Sequence, residues 1–230
     1  MPRFVLFSAD GEEGYPGNLV AKVTYSLPSD TQLKMEYHAV ADAATPTNLT
    51  NHTYWNLKDG GATPVLDHEV ELPADFYIPV DDTSIPLGEV RAVSGAMDLR
   101  AVATIREHGI SHADQGIGYD HNWCLRSDTN AEGLRRVARV YAPESGRWMT
   151  VHSNQPGVQF YTGNYLDGSV GRNGVRYGKH HGFCLETQHF PDSVNQAHFP
   201  STILEPGGKP YMHTTMHTFG SSAQRPSLAW

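Results

Sequence analysis

The chain has little cysteine, no long apolar run and no block of like charge. Cys124 and Cys184 are the only two cysteines among 230 residues, which excludes a disulfide framework and favours a reducing compartment. The segment Phe4-Val5-Leu6-Phe7 is too short for a signal-peptide core or a membrane span. A formal net charge of −8 argues against nucleic acid or an anionic membrane as a partner. We therefore expect a cytoplasmic protein with neither kind of partner.

Helical periodicity is also scarce, and only Met97 to His108 has a weak helical pattern. Glycine (22 residues) and proline (15 residues) are spread along the chain and separate short extended segments. The clearest of these segments span 19–27, 33–40, 46–57, 68–72, 120–125, 135–142, 147–153, 157–163 and 211–219. Many short strands with frequent turns predict an all-β fold, either a sandwich or a barrel. We assign 1–220 to one such domain and 221–230, which has no period, to a flexible tail.

The stretch from Gly182 to Pro191 places an acidic side chain among apolar and uncharged neighbours. Read as a strand, it points Cys184, Glu186 and Gln188 to one face, because alternate side chains of a strand point to opposite faces. A carboxylate there loses solvation, so we expect its pKa to rise toward the range useful for proton transfer. The alternative interpretation is a glutamate on the solvated face of a half-buried strand.

A histidine lies beside an aromatic ring and an amide in the segment 51–57. If this segment is a strand, His52, Tyr54 and Asn56 share one face. Rings that stack on a sugar and amides that bond its hydroxyls are what a sugar-binding cleft uses. A structural histidine that holds two loops together explains the pattern equally well.

Two further segments carry polar groups at strand positions. Gln159 and Tyr161 would share a strand face, and the alternative is an amide on a solvated strand. Asp120 stands where a loop becomes a strand, and the alternative there is a turn cap. Neither segment indicates a function by itself.

Thirteen histidines raise the question of a metal site. His213 and His217 have a spacing that suits zinc on a helix. In a strand, however, positions four apart are about 13 Å distant, too far to share one ion. No compact set of ligands stands out in the sequence, so we predict no metal site.

Taken together, four motifs give the chain a resemblance to the aldose 1-epimerase (galactose mutarotase) family. They occur in the order seen in that family, and the resemblance extends from about Phe7 to Phe219. The four motifs are Asn-Leu-Thr-Asn-His-Thr-Tyr-Trp-Asn-Leu at 48–57, Gly-Tyr-Asp-His-Asn at 118–122, Gln-Pro-Gly-Val-Gln-Phe-Tyr-Thr-Gly-Asn at 155–164 and Gly-Phe-Cys-Leu-Glu-Thr-Gln-His-Phe-Pro at 182–191.

The resemblance implies an antiparallel β-sandwich that interconverts the α and β anomers of free hexoses such as galactose and glucose. It implies no cofactor, and we expect a monomer whose partner is the small-molecule hexose. By motif, His52 resembles the general acid and Glu186 the general base. The residues that resemble sugar ligands or line the same site are Asp120, Gln159, Thr53 and Tyr54.

Full-length members of the family begin with a further run of strands, which carries an Asn-Arg pair and a His-Gly-Gly motif of the sugar site. Neither motif precedes the turn at 8–17 in this chain. We therefore expect a shortened member without the first third, and a sheet edge left unpaired by that loss.

Two alternative functions stay open. One is a non-catalytic sugar-binding module that keeps the cleft. The other is a relative that acts on hexose 6-phosphates, which would need basic side chains for the phosphate. Arg172 and Arg176, in a glycine-rich loop, are the nearby candidates for that role.

Overall fold

A computed structural model describes residues 1–110 and 118–226 of the chain. Almost all of its regular structure is β-strand. The strands are β1 (Arg3–Ser8), β2 (Leu19–Ser26), β3 (Gln32–Ala41), β4 (Thr45–Pro46), β5 (Glu69–Glu71), β6 (Phe76–Ile78), β7 (Arg91–Ala92), β8 (Ala103–Thr104), β9 (Asp120–Cys124), β10 (Arg135–Ala142), β11 (Arg147–Ser153), β12 (Gly157–Tyr161), β13 (Ser169–Val170), β14 (Arg176–Tyr177), β15 (Cys184–Gln188), β16 (Ile203–Leu204) and β17 (Tyr211–Ser221).

Helical structure in the described residues is confined to single turns. Four are 3₁₀ turns, at Glu12–Gly14, Gly95–Met97, Arg172–Gly174 and Ser193–Asn195, and one is a π-helical turn at Arg106–Ile110. None of these is long and apolar enough to cross a membrane.

Two antiparallel sheets form the body of the domain. The larger has eight strands in the order β1-β2-β3-β17-β11-β10-β5-β8, and the smaller has five in the order β15-β12-β9-β6-β7. Their facing sides share one apolar core, to which Trp123 and Phe160 contribute from the smaller sheet and Val140 and Met149 from the larger. The all-β antiparallel sandwich predicted from the sequence is confirmed.

Strand alternation determines which side chains lie on the outer face of the five-stranded sheet, the face that points away from the core. Leu185 on β15 and Val158 on β12 point into the core, so their neighbours in sequence point away from it. Glu186 and Gln159 are such neighbours, and they lie directly opposite each other across the two strands. The outer face of the five-stranded sheet is therefore polar, as the alternation in 182–191 predicts.

Two sequence interpretations of local structure differ from the observed fold, and one strand was not assigned. The hairpin at 19–40 is confirmed, but the helical reading of Met97 to His108 is wrong, because that stretch holds single turns and the short strand β8. The strand predicted at 46–57 is also wrong beyond Pro46, since only Trp55 makes a ladder contact, with Phe183. The sequence analysis did not assign β1 at all.

Strand β1 is one edge of the larger sheet. Its four apolar side chains, Phe4 to Phe7, are 60–62% exposed.

Of the predicted tail, residues 227–230 lie outside the described residues. The preceding part contacts the domain, since Ser222 N donates to Gly146 O at 2.8 Å and Arg225 pairs with Glu69 at 3.2 Å. The division into domain and tail stays a prediction.

Candidate active site

A polar cavity of about 330 Å³ opens on the outer face of the five-stranded sheet. Its floor comes from three neighbouring strands, β9, β12 and β15, and its wall from the segment that contains His52. The residues that line it are His52, Tyr54, Ile78, Val80, Ser84, Asp120, Asn122, Gln159, Tyr161, Glu186, Gln188 and Pro191.

Strand register aligns the floor of this cavity. Gln159 on β12 lies between Glu186 on β15 and Asn122 on β9, so these three side chains form one row across the sheet. Tyr161 likewise lies opposite Asp120 in the next row. Residues far apart in sequence therefore meet because the pairing of three strands brings every second side chain to the same face.

The segment that carries His52 runs along the free edge of β15 without being a strand. Thr50 Oγ1 donates to Thr187 O at 2.9 Å, and the Asn48 amide bonds both the N–H and the C=O of His189. At the other end, Trp55 and Phe183 exchange two backbone hydrogen bonds of 2.7 and 3.0 Å. These contacts hold the histidine over β15.

His52 and Glu186 face each other at the cavity. His52 Nε2 is 3.5 Å from Glu186 Oε1, and the exposed fractions of the two side chains are 52% and 10%. The other ring nitrogen, Nδ1, lies 3.4 Å from Cys184 Sγ. Burial raises the pKa of this thiol, and the nearby Glu186 and Asp120 carboxylates add to the rise. When the ring carries both protons, Nδ1 can donate to the thiol sulfur, a weak acceptor, and the proton on Nε2 points toward Glu186.

The environment of Glu186 tunes its acidity. Burial raises its pKa from the ordinary value of 4.5 to about 7. The nearby His52 lowers the pKa and the Asp120 carboxylate raises it, but burial is the largest cause. A carboxyl group with such a pKa can both take up and return a proton at neutral pH, which is the property that general base catalysis requires.

Asp120 and Gln159 form a second polar pair on the floor. Gln159 Nε2 donates to Asp120 Oδ1 at 2.8 Å. The hydrogen bond orients both groups, and the carboxylate keeps a second oxygen that can accept hydrogen bonds from sugar hydroxyls. The two residues that the sequence named as sugar ligands thus lie together, beside Glu186.

Two tyrosines form an aromatic side of the cavity. The Tyr54 ring lies 5.2 Å from the His52 ring and 6.1 Å from that of Tyr161, measured between centroids. Burial raises the pKa of Tyr54 to about 12, so its hydroxyl stays protonated at neutral pH and can donate a hydrogen bond. Apolar ring faces with a polar tip suit the mixed surface of a sugar.

Several residues singled out from the sequence lie elsewhere. Thr53 does not line the cavity, and its hydroxyl donates to Asn51 Oδ1 at 2.5 Å. Asn56 does not share a face with His52, because its amide donates to Thr63 O and His181 O.

Asn122 lines the cavity but the sequence analysis did not name it. Its position two residues after Asp120 in a strand could have revealed it.

One group of side chains in the described part of the chain has the spacing that a metal ion needs. One donor atom each from His52, Cys184 and Glu186 lies within 4.8 Å of the others. Two of these groups, His52 and Glu186, are those that the sequence predicts as acid and base, a pair that would lie close together without an ion. The absence of a metal, expected from the sequence, stays a prediction.

The sequence of nearly the whole chain is similar to a family profile and to proteins of that family. A family profile described as aldose 1-epimerase matches residues 2–217 of the chain. The galactose mutarotase of Homo sapiens is 49% identical over 220 residues, which cover 94% of this chain and 62% of that protein. The aldose 1-epimerase of Escherichia coli (strain K12) is 35% identical over 94% of this chain and 63% of its own length. The chain thus spans less than two thirds of the length of these relatives.

Solved structures agree with the profile. An aldose epimerase homologue from C. elegans superimposes with a TM-score of 0.84 at 28% identity, over 95% of this chain and 65% of that one. A galactose 1-epimerase from Lactobacillus acidophilus NCFM gives a TM-score of 0.79 at 26% identity, over 95% of this chain and 62% of that one. A profile match along nearly the whole sequence and the same sandwich fold lead to one conclusion: the chain belongs to the aldose 1-epimerase family.

Proposed function

We propose that the cavity catalyses the interconversion of the α and β anomers of free hexoses such as galactose and glucose. The observation that carries the proposal is the placement of Glu186 Oε1 and His52 Nε2 3.5 Å apart at the cavity. The oxygens that must lose and gain protons in this reaction, the C1 hydroxyl and the ring oxygen, are both bonded to C1. A closely spaced base and acid can therefore reach both at once.

The protons balance in both directions. Glu186 takes the proton of the C1 hydroxyl while His52, as the protonated imidazolium, gives its Nε2 proton to the ring oxygen and becomes neutral, and the C1–O5 bond breaks. The product is the open-chain aldehyde, with a protonated Glu186 and a ring nitrogen that has lost its proton. Rotation about C1–C2 presents the other face of the carbonyl. Ring closure then returns the proton from O5 to His52 and the proton from Glu186 to O1.

The remaining cavity residues suit a neutral hexose. Asp120 and Gln159 offer hydrogen-bonding groups for the sugar hydroxyls, and Tyr54 offers a ring face and a hydroxyl. The described lining of the cavity contains no lysine or arginine, whereas a sugar phosphate calls for a cationic group. Arg172 and Arg176 are both exposed and lie outside that lining, so the hexose 6-phosphate alternative has no support at this site.

Polarimetry on freshly dissolved α-glucose and α-galactose tests the proposal. We expect the 230-residue chain to accelerate the decay of optical rotation, and Glu186→Gln to lower kcat by about a hundredfold or more, since a positioned base contributes roughly 10²–10⁴. Glu205→Gln, an exposed carboxylate outside the cavity, is the matched control and should keep the rate.

The outcomes separate catalysis from binding alone. A chain that melts cooperatively by circular dichroism and binds hexose without accelerating the decay is the non-catalytic module, and the proposal is then wrong. Equal rates for wild type and Glu186→Gln would also contradict it.

We further propose a cytoplasmic monomer. Both Cys124 and Cys184 are free thiols, which fits a reducing compartment. The monomeric state stays an expectation, and the lack of nucleic-acid or membrane partners stays a prediction from composition. Analytical ultracentrifugation at several protein concentrations checks the first of these.

A further inference from the structure

His213 is a buried histidine on β17 that contacts two segments from inside the core, the one that leads to His52 and the strand that carries Glu186. It is 1% exposed and points to the inner face of the larger sheet. Its Nδ1 lies 3.1 Å from Leu49 O, and its Nε2 lies 3.0 Å from Thr187 Oγ1 and 2.7 Å from Thr215 Oγ1. The Tyr37 ring stacks on the imidazole at 4.4 Å. All its polar atoms are therefore engaged inside the protein.

These partners determine the tautomer. The Leu49 carbonyl only accepts hydrogen bonds, so the proton of the His213 ring lies on Nδ1. Burial lowers the pKa of His213 to about 4, which leaves the ring neutral at pH 7 and Nε2 free to accept. Thr187 Oγ1 and Thr215 Oγ1 are 2.6 Å apart, so one hydroxyl donates to the other while the second donates to Nε2.

The network joins the two segments that carry the acid and the base. Thr187 follows Glu186 on β15, and Leu49 lies three residues before His52. Thr50 adds a second link between the same segments, since its hydroxyl donates to Thr187 O. Hydrogen bonds of Asn48 to His189 and of Trp55 to Phe183 hold the two ends of these segments together, and the His213 network adds a link between them from inside the core.

We propose that His213 is a positioning residue, which sets the separation of His52 and Glu186 through its hydrogen bonds to Leu49 and Thr187. The inference rests on the proposed function of the cavity. It assigns His213 no contact with the sugar and no proton in the reaction. The network acts through the backbone of β15 and of the segment 49–52.

Substitutions at Thr187 test the link with little change in side-chain volume. Thr187→Val removes the hydroxyl, whereas Thr187→Ser keeps it. We expect Thr187→Val to lower kcat about ten- to a hundredfold with little change in KM, because small misplacements of reacting groups affect the chemical step most strongly. Thr187→Ser should retain most of kcat. Thr214→Val, on the opposite face of β17, is the control and should behave as wild type.

A second readout does not depend on activity. The titration of the Glu186 carboxyl, followed by ¹³C NMR, should move to higher pH in Thr187→Val, because the nearby His52 lowers that pKa in the wild type. Thr187→Ser and Thr214→Val should titrate as wild type does. If Thr187→Val does not fold, His213→Asn replaces it, since its amide can still donate to Leu49 O but cannot reach Thr187.

The outcomes distinguish the two proposals. A wild-type chain that does not accelerate mutarotation overturns the proposed function, and the Glu186 titration then decides the role of His213 alone. Unchanged kcat and unchanged Glu186 titration in a folded Thr187→Val would overturn the positioning role. A raised KM with unchanged kcat would overturn it as well, since it would indicate a role in sugar binding.

Discussion

The buried carboxyl of Glu186 should make the folded state less stable at neutral pH than at mildly acidic pH. Its pKa rises from 4.5 to about 7 on folding, chiefly because of burial. Below pH 4.5 the group is protonated in both states and imposes no penalty. Between pH 4.5 and 7 the unfolded chain ionises first, so the free energy of unfolding falls as the pH rises. Above pH 7 the full penalty is present.

The size of this penalty follows from the pKa difference. One pKa unit corresponds to about 1.4 kcal/mol, so a rise from 4.5 to about 7 corresponds to roughly 3 kcal/mol at most. The carboxylate borders an open cavity, and solvent screening reduces the expected penalty to about 2 kcal/mol. Glu186→Gln keeps the shape of the side chain and cannot ionise. We therefore expect this variant to gain about 2 kcal/mol over wild type at pH 8 and much less at pH 4.5.

Urea unfolding of both proteins at several pH values between 4.5 and 8.5, followed by circular dichroism, measures this difference. Acid-sensitive histidines elsewhere in the fold affect both proteins alike and cancel in the comparison. Glu205→Gln should show no pH-dependent difference from wild type. A stability difference between Glu186→Gln and wild type that is flat with pH, or that shrinks as the pH rises, would refute the assignment of Glu186 as a desolvated base.

Two further substitutions probe the surroundings of the site. Neither ring nitrogen of His217 has a hydrogen-bond partner within 1–110 and 118–226, and burial lowers its pKa to about 4. His217→Leu should therefore raise the melting temperature, by about 2–4 °C for each kcal/mol recovered, and the gain should grow as the pH falls from 6.5 toward 4, as scanning fluorimetry can check. Asp120→Asn removes a charge that raises the pKa of Glu186, so the acid limb of the kcat/KM profile should shift to lower pH. An unchanged melting temperature or an upward shift of that limb would contradict these expectations.

The strand that carries Glu186, and the face to which Glu186 points, could be predicted because strand alternation is a local property. Glu186 and Gln188 line the cavity as a period of two requires, and the order of the four motifs indicated the family. The pairing of Glu186 with Gln159 and of Gln159 with Asn122 could not be predicted in the same way. It depends on the register of three strands that are separated by long stretches of chain.

The segment around His52 was misread for a different reason. Its mixture of apolar and polar residues alternates as a strand would, yet most of its bonds to β15 come from the side chains of Asn48 and Thr50. Side-chain hydrogen bonds to a distant backbone leave no periodic signal in a sequence. The weak helix expected at Met97 to His108 failed because short turns and packing against the core overrode a marginal propensity.

The position of β15 at the edge of its sheet explains how the proposed general acid, on a distant segment, reaches the proposed general base. An edge strand leaves one row of backbone N–H and C=O groups without strand partners, which natural folds usually cover. Here Asn48 and Thr50 bond the backbone of His189 and Thr187, and Trp55 pairs with Phe183. A regular strand over this span would point alternate side chains away from the cavity. An irregular segment bonded at three points instead leaves the residue between them, His52, free to lean over Glu186. The arrangement that closes the sheet edge is thus also the one that brings the proposed acid and base together.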